Sequence, residues 1–248
     1  EGQFNVGARC ASGWAIYFPD GEFRLMLRGM SAFGALGGMV YALIAGALRT
    51  RVGASEILVT RMLALIAVQI LNYLLLGPWK DPRGFNFPQT VMFPDNAMLP
   101  ILFDGTRTNI SLIFALLASV FAYLMMQHHF RGYQLRTAGL APRAALYAGF
   151  SAPRMVWLGL GLGGLAAGIA GASEVAGPLG QLQRSVTSGY GYAAIIVAYV
   201  GGLNPLGIIA SSFLISVIYI GGDSATVSAG LPIAAVEVFQ GLLLFFYL

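Results

Sequence analysis

Long unbroken apolar runs constrain this chain more than any other feature. They cover 26–48, 57–76, 107–126, 155–173, 206–221 and 232–248. A bilayer's hydrocarbon core, about 30 Å thick, is crossed by a helix of roughly 20 mainly apolar residues. Two shorter apolar stretches, 4–18 and 190–203, suit half-helices, re-entrant segments or tilted spans. A membrane-spanning backbone must satisfy its own hydrogen bonds as helices or as a closed barrel. Barrel strands alternate apolar and polar residues, and runs such as LIFALLASVFAYLMM (112–126) do not. The expectation is an all-α, polytopic transmembrane helical bundle with about eight membrane segments, forming a single domain over 1–248.

Composition closes the other classes. Charged residues make up 10% of the chain, where a soluble domain carries about 25%. Disordered chains are polar, and this one is 57% hydrophobic. Cys10 is the single cysteine, so no disulfide framework exists within the chain. The net charge of +4 is spread between apolar runs, which fits membrane orientation rather than nucleic-acid binding. The chain opens at Glu1 rather than at a methionine, and further residues are expected upstream.

Basic residues concentrate on cytoplasmic loops. The segment 127–154 holds Arg131, Arg136, Arg143 and Arg154 with no acid, and 49–61 holds Arg49, Arg51 and Arg61 against Glu56. Both are expected inside. The connection 19–28 and the long loop 77–106 balance their charges and are expected outside. Five prolines in 77–106 exclude a continuous helix there and suggest an ordered external cap.

Several motifs have plain structural readings. Gly159 to Gly164 matches GxGxxG but lies within an apolar run, where small residues serve close helix packing. The same holds for GALGG at 34–38. The one lysine, Lys80, leaves no phosphate-binding G-x-x-x-x-G-K-[ST] loop, so ATP would have to bind another chain. No metal site is expected; His128 and His129 read as interfacial residues, with a metal or pH role as the alternative. No cluster of catalytic groups occurs within the spans, which argues against an intramembrane enzyme.

Polar groups inside spans are costly and normally face the bundle interior or a cavity. Glu1, Gln3, Asn5, Gln69, Asn72, Glu237 and Gln240 are of this kind. They serve either interhelical hydrogen bonding or the lining of a polar solute path. Within 127–154, PRAALY (142–147) forms a short helix-forming run after a proline, between Gly139 and Gly149. Such a helix suits docking in a partner's groove or lying at the interface.

Five segments, in order, resemble the permease subunits of bacterial ABC importers. GLAPRAALYAGF (139–150) resembles their coupling-helix motif, EGQFNVGA (1–8) their opening motif, and ASEILVTRMLALIAVQILNYLLLGPWKDP (54–82) a following span. GYGYAAIIVAYVGGLNPLG (189–207) and LPIAAVEVFQGLLLFF (231–246) resemble the late helices. The likeness is to the branched-chain amino acid and ribose-type superfamily, in the branch paired with nucleoside-binding lipoproteins. Ala141, Leu146 and Arg61 depart from the family pattern.

The resemblance implies a multi-pass subunit of the bacterial inner (plasma) membrane, itself not an enzyme. Its partners would be ATPase subunits, a second permease subunit (identical or related), membrane lipid, and an external substrate-binding lipoprotein or periplasmic protein. This chain would bind no cofactor; ATP and Mg would sit on the ATPases. Gly139, Pro142, Arg143, Ala144, Ala145, Tyr147 and Gly149 would form the coupling segment. Glu1, Gln3, Asn5, Asn72, Glu237 and Gln240 are the candidates for the translocation path. The implied solute is a nucleoside. A simple sugar or another small polar solute on the same architecture is the alternative, with a secondary transporter behind it.

Overall fold

A computed structural model describes residues 1–18, 22–85, 87–103, 105–106, 108–187 and 189–230, and in the last segment 232, 238–239, 241–242 and 245–246. Nine helices are defined among these: α1 (Gly2–Tyr17), α2 (Phe23–Val52), α3 (Glu56–Leu76), α4 (Ser111–His128), α5 (Phe130–Leu140), α6 (Pro142–Tyr147), α7 (Ala152–Glu174), α8 (Tyr190–Val200) and α9 (Pro205–Ala229). No strand is defined among the described residues. Five helical stretches are long and apolar enough to cross a membrane: Phe23–Val52, Glu56–Leu76, Ser111–His128, Ala152–Leu179 and Pro205–Ser228. The chain is therefore a helical, multi-pass membrane protein. The expected spans 26–48, 57–76, 107–126, 155–173 and 206–221 fall on these five. The stretches 4–18 and 190–203 form α1 and α8, of 16 and 11 residues. The expected span 232–248 lies largely outside the described residues.

The chain divides into two compact units, Glu1–Phe114 with Tyr133–Ser188 and Ala115–Gly132 with Gly189–Leu248. In the first unit, α1, α2 and α7 pack on one another through glycines. Apolar surface provides little drive for helices to associate in lipid, so close backbone approach through small residues replaces it. A Cβ placed on Gly168 would overlap the Gly34 carbonyl and lie 3.1 Å from Ala35 Cα. One placed on Gly38 would lie 2.7 Å from Gly168 Cα, and one on Gly171 would overlap the Phe4 carbonyl. Thus the glycine runs at 34–38 and 159–171 are packing surfaces, with Gly161, Gly164, Gly168 and Gly171 buried on α7. Gly163 faces open space. α3 runs alongside α1, with Ala64 beside Gly2.

The proline-rich segment 77–110 is ordered by pairing with the segment after α7. Helix α7 widens into a π turn, Val175–Leu179, around Pro178, and stops at Gly180. There the Thr90 N–H donates to the Leu182 carbonyl (3.0 Å), and the Leu182 N–H donates back to Thr90 Oγ1 (3.0 Å). The Phe93 N–H donates to the Gly180 carbonyl (2.9 Å) and the Leu99 N–H to the Ala176 carbonyl (2.7 Å). Phe93, Ala97, Leu182 and Val186 are buried in the same core as Ala11, Ala15, Met26, Met30, Leu71 and Leu75. The segment is a packed cap over one end of the first unit.

The second unit contains the hairpin of α8 and α9. Asn204 caps α9, its side chain accepting from the Leu206 N–H at 3.1 Å. The Ser211 hydroxyl donates to the Val197 carbonyl at 2.8 Å and ties the two helices together.

Candidate functional site

Two features of the first unit stand apart from its packed interior: an exposed short helix at one end and a buried polar side of α1. The segment 127–154 is helical over most of its length, as α5 and α6. The sequence marked it as a long loop because an 11-residue and a 6-residue helix carry too few residues for a clear period. Pro142 is the first residue of α6, where its missing N–H costs nothing. Ala145 is buried and α6 rests on α7. The Phe150 N–H reaches back to the Ala145 carbonyl at 2.9 Å, closing the helix over Gly149, whose φ of +76° disfavours any side chain.

The rest of α6 points away from the protein. Tyr147 is 94% exposed and Leu146 67% exposed. Gly139, Pro142, Arg143 and Ala144 are exposed as well. Of the coupling residues expected from sequence, only Ala145 is inward. Arg143 on α6 and Arg154 in the first turn of α7 are exposed. Arg49 and Arg51, in the last turn of α2, lie at the same end of the bundle, because the Trp157 indole N–H donates to Thr50 Oγ1 at 3.2 Å. Arg49 also pairs with Glu56 at the start of α3. The cap closes the opposite end of α7, roughly 35 Å away at 1.5 Å per residue.

The path candidates divide. Glu1, Asn5, Arg9 and Ser12 follow one another by fours and a three along one side of α1. Phe4, Gly7 and Ala8 occupy the side that meets α7. Asn5 is 0% exposed and Arg9 6%. The Ser12 hydroxyl is satisfied by the Ala8 carbonyl at 2.7 Å. Gln3 is half-buried on the same helix, Asn72 is half-buried on α3, and Gln69 is exposed. Glu237 and Gln240 lie outside the described residues. Sequence reading passed over Arg9. The available signal was a cation within an apolar segment, which normally marks a functional group.

Other features carry no solute chemistry. An open groove of about 600 Å³ between α2 and α7 is lined by Met39, Leu43, Trp157, Leu158 and Leu165, with Arg154 at its end. A polar solute there would lose hydration without replacement. His128 and His129 are exposed; the His128 ring meets Tyr123 edge-on and His129 Nδ1 accepts from the Arg131 N–H at 3.2 Å. Among the described residues, no three His, Cys, Asp or Glu side chains converge to hold a metal ion.

The family described as branched-chain amino acid transport system / permease component matches residues 3–248. The glucose ABC transporter permease of Haloferax volcanii is 30% identical over 99% of this chain and 67% of its own length. A nucleoside ABC transporter permease of Lactococcus lactis is 29% identical over 99% of this chain and 71% of its own. The guanosine ABC transporter permease of Bacillus subtilis is 27% identical, with the same coverage. No solved structure is significantly similar to the chain.

Proposed function

The chain belongs to the branched-chain amino acid transport permease family, and on that premise we propose that it forms the path for nucleosides across a bacterial inner membrane. Permeases of ABC transporters are membrane subunits rather than enzymes, and the family implies ATPase and substrate-binding partners. The observation that supports the nucleoside reading is end-to-end similarity to permeases named for nucleosides and for guanosine. The glucose permease relative favours a second reading, a sugar carried on the same architecture.

The arrangement of the first unit suggests how the chain works. Helix α6 is the coupling helix: Tyr147 and Leu146 enter a groove on an ATPase subunit, Arg143 sits at its rim, and Ala145 keeps the helix on α7. Force on α6 passes directly to α7, and through the glycine contacts to α1 and α2. The basic residues around α6 put that end in the cytoplasm, and the cap at the other end then faces the external binding protein. A second permease subunit, the same or related, completes the path, and with the last segment the chain contributes about eight membrane segments. ATP and Mg are held by the ATPases and no cofactor by this chain.

The test is uptake of labelled guanosine, uridine and glucose by proteoliposomes holding the assembled transporter and its binding protein. Nucleoside uptake that requires ATP and is not competed by glucose is expected. Saturable glucose uptake with none for nucleosides would replace the substrate. Uptake driven by a proton or sodium gradient without ATP would replace the mechanism.

A further inference from the structure

We propose that Asn5 and Arg9 form a binding site for a small anionic group, buried on the side of α1 away from its contacts with α7. The inference stands on burial and charge and does not depend on which solute the protein carries. Asn5 is 0% exposed, and neither its Nδ2 nor its Oδ1 has a hydrogen-bond partner among the described residues. Leaving a buried amide unpaired is destabilising. Arg9, one turn along, is 6% exposed, and its one side-chain hydrogen bond among the described residues runs from Nε–H to the Asn5 main-chain carbonyl at 3.3 Å.

A guanidinium does not deprotonate in a protein, so burial cannot be relieved by losing the charge. It must be relieved by a counter-charge. Among the described residues, the ionisable groups beside Arg9 are Tyr41 and Cys10, and no carboxylate pairs with it. The Tyr41 hydroxyl already donates to the Leu63 carbonyl at 2.7 Å. Glu1 lies two turns away, roughly 12 Å along the helix axis, and Arg9 forms no ion pair with it. One of Glu1's carboxylate oxygens is itself buried without a partner. Nor can α1 turn to bring Arg9 out, because its opposite side is locked backbone to backbone on α7 through Gly7, Gly168 and Gly171.

The donors left over define the ligand. A planar guanidinium edge and an amide NH₂ together suit one small monoanion, a halide or a carboxylate. Such an anionic group arrives either as a free ion or as the carboxylate of a solute.

The full-length protein, purified in mild detergent with its partners, is unfolded thermally at constant ionic strength. A bulky sulfonate buffer anion is replaced stepwise by chloride, or by acetate. The wild type should show a saturable rise of about 5 °C, and Arg9→Met should abolish it. A response to chloride marks a free-ion site, and a response to acetate alone marks a solute carboxylate. If Arg9→Met does not accumulate, Asn5→Ala and Arg9→Lys should each raise the half-saturating concentration at least fivefold. The proposal is overturned if neither anion shifts the wild type, if Arg9→Met responds like the wild type, or if the two milder variants leave half-saturation unchanged. A wild type indifferent to both anions would mean that a protein carboxylate supplies the counter-charge.

Discussion

The glycine-packed node of α1, α2 and α7 and the short helix α6 are built on opposite plans. In the node, backbones touch through glycines such as Gly38, Gly164 and Gly168, where no side chain would fit. In α6, one residue of six, Ala145, is buried and the others are presented outward. Helix α6 instead presents Tyr147 and Leu146 outward, which is why we propose it as the surface that docks on an ATPase subunit. Both features meet on α7, and on the proposed coupling a movement imposed at α6 would reach the packed spans through that helix.

The largest expected effect breaks the node. Gly168→Leu should all but abolish folded protein in the membrane, since its Cβ alone collides with the Gly34 backbone and neither helix can yield; we expect a loss of roughly 3 kcal/mol or more. Gly163→Leu, five residues away on the same helix and facing open space, should accumulate and unfold like the wild type. Equal behaviour of the two in a membrane-fraction immunoblot and thermal melt would remove the packing account.

The second prediction reverses the pattern. Arg143→Glu combined with Tyr147→Ala should reduce ATP-dependent uptake by at least tenfold and leave unfolding within about 0.5 kcal/mol of the wild type, as exposed substitutions usually do. A smaller effect is expected in the cap. Thr90→Val removes the hydroxyl that accepts from Leu182 and should cost about 1–2 kcal/mol. Hydrogen exchange at the Leu182 amide should accelerate while that in α2 stays slow. Uniform acceleration would mean that cap and node open together.

How much of this the sequence disclosed depends on the range of the contact concerned. The five long spans were legible because an apolar run of bilayer length has one interpretation. The role of the glycine runs was legible for the same reason: inside an apolar helix they fit packing and little else. The pairing of Thr90 with Leu182 was not, since 92 residues separate the partners and neither has a local signature. The helices of 127–154 were hidden by their shortness, although the proline at 142 and the glycine at 149 marked the ends of α6 well. The one local sign of Arg9 was a cation within the apolar segment 4–18.

The most direct test of the coupling claim places a photoreactive amino acid at position 147 in the intact transporter in native membranes. Irradiation should join this chain to its ATPase subunit, and the same group at Phe85 in the cap should not give that adduct. An adduct from position 147 to an external binding protein, or an ATPase adduct from position 85 instead, would contradict the account.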